Sequence, residues 1–564
     1  MTHPTRASDR SVTHHPNASR PASLGDPACR IRRVATALAT AAALLTSLAS
    51  LTYSAGAGAQ TLTVGVRAGP LSLDPHFSNI GPHAEALKNI FDTLVWAGDD
   101  LQIEPRLAES WKVIDDVTWE FKLRRGVKFH DGSDFTAEDV RFSIARIPLA
   151  SGPSSPTTTN VRRVKGVTIV DPYTIRVTTD GPAPTLINDF NRLFIVSSKA
   201  AKDYSTRETA DAGFNSGKAT IGTGPYKFVS WTPKEQLVLE RFDDYWGGKE
   251  PWQRVFFKEV PNDSARVAQL KAGQLDLIVR VPAADVLTLE RDPKIRVVKS
   301  QTIYVFNLEF DMRQKSPQVF AKNGTPLPKN PFLDPRVREA VSLAIDRPAI
   351  SEIAMEGLGT PANQFVPPSI FGHNKSLPPL KTDLAAARKL MAEAGYPDGF
   401  RVGMAFTNDR LPGDRQVGTT LAQMLARIGL EVQANSQPVA NFLPARNRGE
   451  YSMAMMGMGA PTGEAQAVLT AFIHSNDPAK KVGTFSWSGY LNPKLDKMIE
   501  DAGEEMDVEK RRALLNDALT LVAQERTHIP IAIIGSAWAM QRAKVDFKPR
   551  VDEDTMAMNM KAVK

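Results

Sequence analysis

A single cysteine, Cys29, stands in a chain of 564 residues. One thiol closes no intramolecular disulfide and builds no cysteine-based zinc site. Aromatic residues are scarce at 7%. Net charge is scarce too, once the amino terminus is set aside. The formal +7 falls to +3 without the six arginines and two aspartates of the first 59 residues. That balance gives no electrostatic reason to expect nucleic acid as a partner. The common catalytic signatures are absent: no G-x-x-x-x-G-K-[ST], G-x-G-x-x-G, H-E-x-x-H, C-x-x-C, G-x-S-x-G or S-x-x-K occurs. The histidines beyond residue 59 are His76, His83, His130, His373, His474 and His528. None is spaced i, i+4, so no single helix presents a pair of imidazoles to a metal. A chain this long with no catalytic set reads as a binder, built from two or three domains.

What is present begins with an address. Arg30, Arg32 and Arg33 precede the uncharged stretch 34–51, and Ala57-Gly58-Ala59 supplies the small-x-small pattern of signal-peptidase cleavage before Gln60. A membrane anchor is the competing reading, but the stretch is mostly Ala and Thr with five Leu. The basic region is long, which leaves open a translation start downstream of Met1. Cys29 precedes the apolar stretch and so is not placed as a lipoprotein cysteine. The mature chain is expected to be extracytoplasmic, without cysteine.

Beyond it, strand and helix patterns alternate irregularly. Residues 61–66 read as an opening strand, 118–129 as a hairpin turning at Arg125-Gly126, 167–178 as a second turning at Asp171-Pro172, and 226–242 as a third. Thr136 and Asp139 form a capping-box variant opening a helix through Ile147, and the Ser- and Pro-rich run 150–156 closes it as a loop. Asp263, Asp334, Asp383, Asn492 and Asp507 mark further helix starts. Residues 302–310 and 529–534 read as strands. The class is α/β with mixed sheets. The methionines 453, 455, 456 and 458 suit a buried strand better than a binding wall.

Six ordered segments then carry a resemblance. They are WEFKLRRGVKFHDG at 119–132 with FTAEDV at 135–140, GTGPYKF at 222–228, DPRVREA at 334–340 with AIDR at 344–347, AGYPDGF at 394–400, RIGL at 427–430, and YLNPKLD at 490–496. Together they resemble the periplasmic solute-binding proteins of peptide-type ABC importers, the family 5 binders of oligopeptides, dipeptides, nickel and glutathione. The resemblance implies a two-lobed periplasmic-binding-protein fold, with mixed sheets, two crossovers and an extra subdomain inserted in lobe I. It places lobe I at 60–303 with the insert at about 104–218, lobe II at 304–527, and a return to lobe I at 528–564. It implies a monomer that captures a peptide or peptide-like molecule by lobe closure and hands it to a permease with separate ATPase subunits. It implies no cofactor and no catalysis. A nickel chelate, an opine or another organic solute on the same fold is the alternative, and a secreted enzyme a more distant one. Delivery to a membrane sensor in place of a permease is not distinguished.

For the site, the resemblance points to Arg410 as a carboxylate clamp, a role that suits a planar guanidinium. Peptide binders of the family usually carry an Asp for the amine after the strand corresponding to 453–458. Here that stretch reads GAPTG, and Glu464 is the first acid. Either Glu464 takes the amine or the solute has none there. Phe77, Tyr304, Trp231 and Trp487 are candidate apolar walls, with Asn307 as a polar neighbour. For each aromatic, core packing competes with that role.

Overall fold

Side-chain caps decide where the helices begin. In the computed structural model, which describes residues 60–153 and 157–563, the Asp334 carboxylate accepts from the Arg336 amide at the head of Pro335–Ala344. Asp383, Asn492 and Asp507 do the same work for Leu384–Glu393, Pro493–Glu504 and Val508–Glu525. Thr136 and Asp139 form the reciprocal box expected of them, and that helix runs Ala137–Ala150, slightly past its expected end. One cap differs. Asn262, not Asp263, accepts from the Ala265 amide, and Asp263 is already helical. The leader, its cleavage point, Cys29 and part of the loop at 150–156 lie outside the described residues. Among the described residues no helix is long and apolar enough to cross a membrane.

The hairpin expected around Arg125-Gly126 does not form. Thr118–Leu123 pairs instead with Ala108–Asp115 on one side and Thr174–Thr179 on the other. The chain reverses later, where the Phe129 amide donates to Ser133 O at 2.8 Å. Val127 and Phe129 alternate as a strand would, but they do so to reach the core under that sheet, among Phe121, Phe135 and Ile175. Val164–Asp171 completes the four-stranded sheet.

A larger twelve-stranded sheet runs through the molecule. At its centre Ile295–Phe310 and His528–Gln541 lie antiparallel, with register shifts between Gln301 and Val305 and again between Phe306 and Asn307. Both strands far exceed the stretches expected from the sequence. The reason is that each serves two cores in turn. Trp538 and Met540 pack with Leu62, Val64 and Trp252, whereas Phe306, Phe310 and Ile531 pack with Val402 and Phe406. Parallel pairing flanks both sides: Thr61–Val66 with Arg254–Glu259, and Arg401–Thr407 with Met453–Gly459. The methionines of Met453–Gly459 are buried, as their strand pattern implied.

Candidate functional site

A cavity of about 1520 Å³ opens between these cores. That exceeds the roughly 300–1,000 Å³ of drug-sized sites. One wall brings Glu85, Arg162, Asp189 and Arg192, and another brings Thr462, Glu464, Gln466 and Phe485. Ile303, Tyr304 and Trp538 reach it from the two long central strands, together with residues 552–554.

Tyr304 is placed by its neighbour strand. It pairs with Gly459, and a side chain at 459 would start 2.6 Å from the Tyr304 ring. Glycine there lets the ring lie flat against the strand. Burial, then Glu553, pushes the Tyr304 phenol above its ordinary range. Glu464 is 4% exposed. Its Oε1 accepts from Arg511 Nη2 at 3.0 Å and its Oε2 has no partner. Burial raises its pKa above the ordinary carboxylate value, and Arg511 only partly offsets that. Across the cavity, burial pushes Asp189 up to about 7, with Arg162 opposing and Glu464 adding to the rise. Asn188 beside it donates from Nδ2 to Thr462 O at 2.9 Å, joining the two walls.

The remaining expected residues lie elsewhere. Arg410 donates from Nη1 to Gly457 O at 2.6 Å, close to Tyr304 but not on the cavity wall, and burial lowers its affinity for its proton. Trp487 is a core residue. Its Nε1 donates to Glu309, and the Arg446 guanidinium stacks 5.6 Å from its ring. Asn307 is wholly buried and donates to Val305 O at 2.8 Å. Trp231 packs on the core around Leu62, and Phe77 lies under Arg207. None of these four lines the cavity, so the aromatic wall consists of Tyr304, Trp538 and Phe485 instead.

Several wall residues escaped the sequence reading. Glu85 is the one acid of Gly81–Leu87, and Asp189 and Arg192 are the charges within the apolar run 183–197. A lone charge in an apolar stretch was the available signal. Arg280 and Glu553, both at positive φ (50° and 66°), gave none.

The bacterial extracellular solute-binding proteins, family 5, have a model that matches residues 102–480. Heme-binding protein A of Haemophilus influenzae is 28% identical over 456 residues, 76% of this chain and 79% of that protein. The glutathione-binding protein GsiB of Escherichia coli K12 is 28% identical over 510 residues, 88% of this chain and 92% of its own. Among solved structures, the periplasmic binding protein DppA of Helicobacter pylori, in complex with the peptide STSA, superposes with a TM-score of 0.71 at 27% identity, covering 89% of this chain and 98% of that one. The substrate-binding protein CtaP of Listeria monocytogenes shares the fold at TM-score 0.75 and 22% identity, over 89% and 99% of the two chains.

Proposed function

The chain belongs to the bacterial extracellular solute-binding proteins of family 5, and on that premise we propose that it is the exported capture subunit of an ABC importer for a peptide or peptide-like solute. The observation that carries this reading is the cavity of about 1520 Å³ walled from both sides of the central strand pair and carrying charges of both signs. Lobes hinged on Ile295–Phe310 and His528–Gln541 close on the solute, because contacts with both walls favour the closed state. The boundaries are 60–303 with an insert at about 104–218, 304–527, and a return at 528–564. The protein works as a periplasmic monomer, performs no chemistry, and passes its cargo to a permease whose ATPase partners supply the energy. Tyr304 and Glu464 contact the solute, and Arg410 backs Tyr304.

A non-peptide organic solute is the second reading. It is favoured by Glu464, whose carboxylate already has Arg511 as its counter-ion and so is poorly free to hold an amine. Native mass spectrometry of the purified protein identifies any retained solute. Small-angle scattering with and without an equimolar di- and tripeptide mixture should show a smaller radius of gyration in the mixture. Superimposable curves and no retained solute would remove the proposal.

A further inference from the structure

One corner of the cavity is built by Gly81, Pro82 and Glu85 of Gly81–Leu87, by Arg280 and by residues 552–554. Glu553 is 7% exposed. Its Oε2 accepts from Arg280 Nη2 at 3.2 Å, and its Oε1 is buried without a partner among the described residues. Both residues are held in the left-handed region, a conformation kept only where surrounding structure enforces it. Glu85 faces the pair, its Oε1 accepting from the Thr555 amide at 3.1 Å. Asp554 is bound to Lys88. The corner therefore holds four carboxyls, Glu85, Asp552, Glu553 and Asp554, against three cations, Arg280, Lys88 and Arg550, the last paired with Asp552. Burial, with Asp554 and Glu553 beside it, raises Glu85 well above the carboxylate range despite Arg280. On the opposite wall Arg511 and Arg512 act on Glu464, and Arg162 and Arg163 on Asp189.

We propose that this corner is a subsite for a primary ammonium group of the solute, received by the free Oε1 of Glu553 with Glu85 as its second acceptor. The inference rests on the reading of the cavity as the solute site, and it moves the amine from the Glu464 wall to the floor. A buried carboxylate oxygen without a donor is costly, and a charge-assisted hydrogen bond removes that cost.

The test uses calorimetry with an equimolar mixture of di- and tripeptides and the same mixture N-acetylated. The wild type should bind the free-amine mixture at least about tenfold more tightly, a difference of about 1.4 kcal/mol. Glu553→Gln should erase that preference, with the fold checked by circular dichroism. Should that variant fail to fold, Glu85→Gln decides: it should weaken binding of the free-amine mixture and leave the acetylated one unchanged, and an unchanged preference overturns the inference. Equal binding of both mixtures overturns the subsite and leaves the solute-binding role intact. Loss of the preference in Glu464→Gln but not in Glu553→Gln also overturns it. If neither mixture binds, the peptide reading and this inference fall together.

Discussion

Arg347 is 1% exposed and has no carboxylate partner. Its guanidinium donates to Pro530 O at 2.9 Å and to Ser342 O and Ile345 O at 3.3 Å, so it ties the end of one helix to the central strand. Burial, reinforced by Arg526, pushes it down to about 9, still charged at neutral pH. Arg347→Met keeps the bulk but leaves those carbonyls without donors, and should cost about 3 kcal/mol in a urea titration. Asp189 offers a pH handle of opposite kind. Folded, it holds its proton up to about 7, whereas the unfolded carboxyl releases it near 4. Its contribution is present at low pH and lost as pH rises through 7. Wild type should therefore lose stability relative to Asp189→Asn with rising pH, by at most about 1.4 kcal/mol per unit between about pH 4 and 7; a constant difference would refute the raised value. At this scale the sequence showed chemistry but not direction. Tyr304 and Glu464 line the cavity, yet Trp487 and Phe77 looked equally eligible in the sequence. Which face of a strand or loop an aromatic occupies depends on partners hundreds of residues away, as Trp487 and Glu309 illustrate.

Between elements, the segments that carry the family likeness touch one another more than they touch the cavity. His130, in the first segment, takes the Gly222 amide of the second on Nδ1 at 3.3 Å, which leaves Nε2 to donate to Gly224 O at 2.9 Å. Burial pushes this imidazole down to about 4, so it stays neutral in that bridge. Gly399 and Gly429, from the fourth and fifth segments, meet backbone to backbone. A Cβ at 399 would lie 2.0 Å from Gly429 O, and both residues have positive φ. Gly399→Ala faces rigid backbone and an unfavourable φ at once, so it should lower stability by about 1–3 kcal/mol or more, read as a drop in melting temperature. Motifs of this kind fix the scaffold, which is why they disclosed the fold without disclosing the solute. The caps at Asp334, Asp383 and Asn492 were legible because a cap is a local bond. The false hairpin at 125–126 arose because alternation in a core-facing loop looks the same as alternation in a strand until the pairing strands are known.

For the molecule as a whole, the two walls of the cavity meet at the loop of residues 460–463. Asn188 Nδ2 donates to Thr462 O, and a Cβ at Gly463 would sit 3.1 Å from Leu101 O. The same loop is anchored from behind by Phe371, whose amide donates to Gly463 O at 2.9 Å and whose carbonyl accepts from the Ala465 amide at 2.9 Å. The loop is therefore a fixed stop, and Asn188 is the side chain that reaches it. On the far side the register of the two long strands slips between Gln301 and Val305. A neutral hydrogen bond is worth about 1 kcal/mol net, so losing it should shift an open–closed equilibrium about fivefold. Asn188→Ala is expected to leave the melting temperature nearly unchanged, because about 1 kcal/mol is a small change for a chain of this size. It should enlarge the radius of gyration measured by scattering in the presence of the peptide mixture, and it should speed release of bound peptide about fivefold in stopped-flow tryptophan fluorescence. Unaltered release with an unaltered radius would mean that closure is set by the solute alone, and the seam at Thr462 would then be a passive contact.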